Sequence, residues 1–356
     1  MKLIIQPGHG VERLVKGIRK AKKSVEIMIF RFDRDEIERA LIDAVERGLF
    51  VHALIAFTNR GGEDKLRKLE MRFLASGVTV ARTAGDLVRY HGKMMIVDRK
   101  EVYILGFNFT HLDIDRSRSF GIVTRNPKLV AEAVRLFEAD TKRQEYSPSH
   151  HNFVVSPANA RRELARFIKG AKKELLIYDP EISDKPMLRL LEERRRVGVE
   201  VRVLGSVGGS RLPSHELKRM RLHTRTIIRD RAQVFIGSQS LRQLELDARR
   251  EIGVILRDAS TLRELCRVFE EDWIASAPEK EQEKRDQTPP KKAVKKLARK
   301  VVKRIPLDPL AKRVAKVLSK KDLDKKHIQE TVKALVEDVV TEAAEHAAVE
   351  GAKTVA

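Results

Sequence analysis

The sequence predicts an α/β protein made of two pseudo-symmetric α/β/α sandwich units followed by a basic helical tail. Three observations lead there. Segments of the first half return in the second at fixed spacing, each copy alternates apolar strands with amphipathic helices, and the composition changes abruptly after Trp273.

The repeat fixes the frame. From Ile4 to Leu54 the chain recurs at an offset of 150. Ile4, Ile5 and Pro7 match Val154, Val155 and Pro157; Ala21, Lys22, Lys23 and Ile27 match Ala171, Lys172, Lys173 and Ile177; Gly48, Val51 and Leu54 match Gly198, Val201 and Leu204. Beyond Tyr90 the offset becomes 132, aligning His91, Asp98, Asn108, Phe137 and Asp140 with His223, Asp230, Ser240, Phe269 and Asp272. The second copy is shorter between Phe57 and Tyr90.

Within a copy, Val11, Leu14, Val15 and Ile18 recur every three or four residues, which predicts an amphipathic helix. Val25 to Phe32 reads as a strand and Glu36 to Arg47 as a helix. Gly48 ends that helix and leads into a strand from Phe50 to Phe57. Alternation of this kind predicts a sheet covered by helices on both faces, once per copy. Ser-Pro-Ser-His-His near Tyr146 to Asn152 marks the junction. The expected units are 1–147 and 148–277, with a tail over 278–356.

The tail begins as a linker too poor in apolar residues to build a core. From Lys291 to Lys326 it holds 15 basic and three acidic residues. Val294, Leu297, Ala298, Val301, Val302 and Ile305 fall at helical spacing there, predicting a basic amphipathic helix broken near Pro306 and Pro309. An acidic, alanine-rich helical stretch follows from Lys320 to Val349.

The formal charge of +22, positive in both core and tail, favours anionic partners such as nucleic acid or an acidic membrane surface. Cys266 is the only cysteine, which excludes an intramolecular disulfide and a multi-cysteine metal site. No apolar run approaches the roughly 18 residues of a membrane span, and the first residues lack a secretory pattern. The expectation is a cytoplasmic protein, at most peripheral at a membrane.

Chemistry concentrates at two equivalent places. Residues 91–98 read His-Gly-Lys-Met-Met-Ile-Val-Asp, and residues 223–230 read His-Thr-Arg-Thr-Ile-Ile-Arg-Asp. In a strand, positions i and i+2 share a face, so His91 would stand beside Lys93 and His223 beside Arg225. Each motif is followed by a small-residue turn, Leu105-Gly106-Phe107-Asn108 and Gly237-Ser238-Gln239-Ser240. One His-x-Lys in a basic chain means little; two at homologous places in a repeat point to a shared site.

These motifs resemble the phospholipase D superfamily, whose signature is His-x-Lys, four residues, Asp, then a glycine-rich turn ending in Asn, once in each half. The resemblance covers residues 1–275, including the Phe-x-x-Asp endings at Phe137 to Asp140 and Phe269 to Asp272. It implies a two-step phosphodiesterase in which one histidine attacks phosphorus and the other protonates the leaving alkoxide, with no metal and no cofactor. By position His91 would be the nucleophile and His223 the acid, an assignment the residues themselves leave open. Lys93 and Arg225 would anchor phosphate, and Asn108 and Ser240 would donate hydrogen bonds. Asp98 and Asp230 would support the turn after each strand.

Copy two departs from the pattern at Arg225 and Ser240. The acidic residue that follows each motif and orients a histidine is Glu251 in copy two, whereas copy one has Ser119, so only one histidine is expected to have a carboxylate. The resemblance implies a phosphodiester substrate without naming the molecule. Phospholipid is expected from the two-copy layout and the basic tail. The alternatives are a metal-independent nuclease and a degenerate, non-catalytic phosphate-binding protein.

Overall fold

The computed structural model describes residues 1–57, 63–210 and 212–277, so the predicted tail lies outside the described residues. Copy one opens with β1 (Lys2–Gln6), α1 (Glu12–Lys20), β2 (Ser24–Ile29), α2 (Asp35–Glu46), β3 (Phe50–Ile55), α3 (Glu63–Ala75) and β4 (Thr79–Arg82). It continues through β5 (Arg89–Tyr90), β6 (Met94–Val97), β7 (Glu101–Leu105), the short helix α4 (His111–Asp115), β8 (Ser117–Thr124) and α5 (Pro127–Lys142).

Copy two runs β9 (Phe153–Val155), α6 (Ala160–Lys169), β10 (Glu174–Ile182), α7 (Lys185–Arg196), β11 (Glu200–Val207) and β12 (Ser214–His215). Then come β13 (Arg221–Leu222), β14 (Arg225–Arg229), β15 (Gln233–Gly237), α8 (Gln243–Asp247), β16 (Arg249–Arg250), β17 (Ile252–Leu256) and α9 (Ala259–Ser276). Among the described residues copy two has no counterpart of α3, which accounts for the change of offset.

The two sheets have one topology. Copy one orders its strands β1-β8-β7-β6-β2-β3-β4, and copy two orders the equivalents β9-β17-β15-β14-β10-β11-β12. In both, the helix-linked strands are parallel and the hairpin strands antiparallel. Gly48 and Gly198 follow α2 and α7 at φ +81° and +88°. The amide three residues past each helix returns to it, Leu49 to the Ala44 carbonyl and Val199 to the Arg194 carbonyl at 3.0 Å each, a turn that favours glycine at the left-handed position.

The expected strands Val25 to Phe32 and Phe50 to Phe57 stop earlier, at Ile29 and Ile55. Past those points the chain leaves the sheet at the carboxyl ends of the parallel strands, and Phe32 bridges Phe109 instead.

Packing refines the layer expectation. Helices α1, α2 and α3 bury Leu14, Ile18, Leu41 and Phe73 on one face of the first sheet. Helices α6 and α7 bury Leu164, Ile168 and Leu191 on one face of the second. The opposite faces share one core: Met94, Ile104, Phe120 and Ile122 pack with Tyr178, Ile228, Ile236 and Val254, closed by Phe137 of α5 and Phe269 of α9. The inner layer is therefore common to both copies. No described helix is long and apolar enough to cross a membrane.

Candidate active site

Each copy delivers its histidine along a strand of the other. β5 pairs in parallel with β16, placing Arg89 opposite Arg249 and Tyr90 opposite Arg250. β13 pairs in parallel with β8, placing Arg221 opposite Ser117 and Leu222 opposite Arg118. These two-residue ladders are two-fold mates at the 132 offset. The first ends just before His91 and Glu251, the second just before His223 and Ser119. The His91 amide donates to the Arg250 carbonyl at 2.7 Å, and the His223 amide to the Arg118 carbonyl at 3.1 Å.

Two buried ion pairs hold the crossing. Arg250 Nη2 lies 3.0 Å from Asp140 Oδ1, and Arg118 Nε lies 2.7 Å from Asp272 Oδ2. The acidic residue closing each Phe-x-x-Asp thus grips the other copy's arginine. Burial pushes the Asp140 carboxyl up to about 6, with Arg250 pulling the other way.

Sequence reasoning put His91 and Lys93, and His223 and Arg225, together in strands. The histidines instead precede β6 and β14, in extended links between the two sheets. Gly92 brings the first link close to copy two: a Cβ there would lie 2.6 Å from the Ile252 Cδ1, which would have to give way.

His91 is buried, with Nδ1 2.9 and 2.8 Å from the two oxygens of Glu251, which is itself wholly buried. This bond directs Nε2 away from the carboxylate. Burial, with Lys93 and Arg225 nearby, pushes the His91 pKa well below 6.5, and burial lifts the Glu251 carboxyl to about 7. The Phe30 ring stands edge-on to His91 at 4.5 Å between centroids.

Glu251 therefore orients the histidine of the opposite copy, and the expectation that the other histidine lacks a carboxylate is corrected. Asp113 of α4 brings Oδ2 to 3.5 Å from His223 Nε2. That carboxylate also accepts from the Asn108 amide at 2.9 Å, the Asn108 side-chain nitrogen at 2.6 Å and Arg221 Nη1 at 2.6 Å. Burial opposes its charge, but His223, the Asn108 amide and Arg221 hold its pKa below the ordinary value. His223 itself is pushed well below 6.5 by burial and Arg225, with Asp113 opposing. His223 Nδ1 and Ser119 Oγ are both buried and accept or donate no hydrogen bond.

The cations are placed symmetrically. Lys93, fully buried, donates from Nζ to the His91 carbonyl at 2.7 Å, and Arg225 donates from Nη1 to the His223 carbonyl at 2.6 Å. Each holds the backbone of its own histidine and has further N–H donors to offer. Burial lowers Lys93 to about 7, Glu251 acting against it. Lys93 and Arg225 both push each histidine's pKa down, so each cation acts on the other copy's imidazole as well as on its own. Arg225 Nε donates to Ser240 Oγ at 3.1 Å.

Asp98 and Asp230 lie at the far ends of their strands. Asp98 accepts from the amides of Lys22, Lys23 and Ser24, and Asp230 from those of Lys172, Lys173 and Glu174. They tie the hairpin turn to the start of the neighbouring strand, far from the histidines.

Sequence reasoning missed Asp113 and Glu245. Glu245 of α8 accepts from the Ser240 amide at 2.8 Å and from Arg249 at 3.1 Å. The two stand 132 apart, five residues after Asn108 and Ser240, so the repeat would have exposed them. The repeat carries no signal for Asp179, since Ile29 stands at its equivalent place. It accepts from the Leu241 amide at 2.7 Å, and burial raises it to about 7. Among the described residues no group of three histidine, cysteine or acidic side chains is placed to hold a metal ion.

The two copies share one inner core and pair across each other just before His91 and His223, and comparison gives the family. The family described as "Cardiolipin synthase, PLD-like domain" matches residues 14–141 and 164–273. The chain belongs to the phospholipase D superfamily. It is 27% identical over 143 residues to the mitochondrial cardiolipin hydrolase of Danio rerio, covering 37% of this chain and 60% of that one. It is 24% identical over 225 residues to the minor cardiolipin synthase ClsB of Bacillus subtilis strain 168, covering 54% and 56%. The chain thus spans somewhat over half the length of these relatives. In fold it is similar to the polyphosphate kinase of Porphyromonas gingivalis, with TM-score 0.65 and 19% identity over 76% of this chain and 50% of that one.

Proposed function

We propose that this chain cleaves or exchanges phospholipid phosphodiester bonds through a phosphohistidine on His91. The observation that carries the reading is the grip of Glu251 on His91 Nδ1 at 2.8 Å. A carboxylate at Nδ1 fixes the tautomer with its lone pair on Nε2 and stabilises positive charge on the ring as a bond forms there.

In the first step His91 Nε2 attacks phosphorus, the P–N bond forms, and the P–O bond to the leaving alkoxide breaks. His223 gives that alkoxide its proton. In the second step water or an alcohol attacks phosphorus, His223 takes the attacker's proton, and the P–N bond breaks to restore His91. The charge on a bound phosphodiester raises His223 toward its protonated form, adding to the pull of Asp113. Lys93 and Arg225 neutralise the non-bridging oxygens, with charge-assisted hydrogen bonds replacing a metal.

Phospholipid is favoured by the cardiolipin-directed names of both sequence relatives and by a charge of +22 suited to an anionic membrane surface. The test is incubation of the full chain with mixed phospholipids and, separately, with plasmid, each in the presence of a chelator. A new lipid product with intact plasmid is expected. Plasmid cleavage without lipid product would replace this reading with a nuclease, and no product in either would make the chain a phosphate-binding descendant.

A further inference from the structure

We infer that an anionic bilayer seats on the site-bearing face through a two-fold pair of leucines, Leu112 and Leu244, presented by α4 and α8. The inference rests on the phospholipid reading above and locates the surface that reading needs.

Helices α4 and α8 are two-fold mates that follow Asn108 and Ser240 directly. Successive helical residues point about 100° apart. Asp113 and Glu245, each 2% exposed, turn inward to the site, while the residues just before them, Leu112 and Leu244, are 46% and 47% exposed and turn outward. A single exposed leucine needs no explanation. Here both copies carry the same exposed leucine beside the same inward carboxylate, although the site residues around them have diverged.

Two further exposed apolar side chains stand next to strands that lead to the site. Val88, 60% exposed, adjoins β5, and its amide donates to the Ala248 carbonyl at 3.0 Å just after α8. Phe57, 45% exposed, follows β3 at the strand ends where Phe30 meets His91.

The charge around this rim suits an anionic surface. Asp115 and Asp247, the acidic residues that end α4 and α8, are held by Arg34 and Arg161. Arg116 at the end of α4, with Lys218 and Arg219 ahead of β13, is exposed. Apolar side chains at headgroup depth with cations around them are the ingredients of interfacial binding. A diester at headgroup level would then face the site without leaving its membrane.

The test compares the full chain with Leu112→Glu/Leu244→Glu and Leu112→Ala/Leu244→Ala variants. Flotation with phosphatidylglycerol vesicles measures docking, and hydrolysis of soluble bis(p-nitrophenyl) phosphate reports an intact site. Loss of vesicle affinity by roughly tenfold or more, graded Glu beyond Ala, is expected, with the soluble diester and DNA affinity unchanged. Unchanged vesicle binding in the glutamate variant would overturn the proposal. So would a selective loss of DNA binding, or a dimer of the wild type that the variant dissociates. Because flotation needs no turnover, a wild type that binds vesicles but makes no lipid product would refute the proposed function and leave the docking surface standing.

Discussion

His91 and Glu251 stand 160 positions apart, yet the imidazole Nδ1 and the carboxylate meet at 2.8 Å with both side chains buried. The pair exists only because β5 of one copy lies along β16 of the other. Neither copy alone contains a complete histidine–carboxylate unit of this kind, so the candidate site is a property of the repeat as a pair.

Glu251→Gln keeps the shape and removes the charge that favours a positive ring. The variant should fold normally and lose roughly 10²- to 10⁴-fold in kcat, the scale set by amidation of an orienting carboxylate. Circular dichroism with steady-state kinetics checks this, and a loss under about threefold would remove Glu251 from the mechanism.

His223→Asn should trap the intermediate. With a p-nitrophenyl ester the leaving group departs without an acid, so the first step proceeds while water goes unactivated in the second. Mass spectrometry should find on His91 a phosphoryl group that still carries the substrate's second ester group. No label at all would reverse the assigned roles, and label on any other residue would refute them.

Asp113→Asn tests the carboxylate 3.5 Å from His223 Nε2. Removing its charge lowers the protonated fraction of His223 at a given pH. Turnover should fall much further for an alkyl leaving group, which needs the proton, than for p-nitrophenolate. Equal losses for both would make Asp113 merely structural.

Two limbs should shape the pH profile. Burial raises Glu251 to about 7, so its useful anionic form grows as pH rises through that value. Burial lowers Lys93 to about 7, so its positive charge is lost over the same range. Activity should peak near neutrality. Lys93→Arg, which copies the residue at Arg225, stays charged and should flatten the alkaline limb; an unmoved limb would assign it to another group.

Arg118→Ala leaves Asp272 buried with only the Tyr178 hydroxyl, which donates to it at 2.8 Å. Removing one member of a buried pair costs about 3 kcal/mol or more. Denaturant unfolding should report a loss of that order, and Asp272→Asn should cost less, since the asparagine oxygen still accepts from Arg118 whereas alanine at 118 leaves the carboxylate without its cation.

Much of this architecture was legible in the chain. The 150 and 132 offsets located equivalent residues, and local pattern placed helices and strands to within a few positions, because apolar periodicity is a property of neighbours in sequence. Strand ends were misjudged at Phe32 and Phe57 because the apolar run continues past the point where the sheet stops. There Phe32 packs against Phe73 of α3 and Phe109, and Phe57 stands exposed.

The sequence by itself determined that two diverged copies each carry a histidine, a cation and a short polar turn. Only the tertiary structure decided which copy serves which: Glu251 reaches His91, and Asp113 reaches His223. A repeat reveals which residues are equivalent but not whether equivalent contacts form within a copy or across the two-fold axis. That choice is made by the shared inner core and the exchanged pairs β5–β16 and β13–β8, whose register depends on backbone hydrogen bonds between segments more than a hundred residues apart.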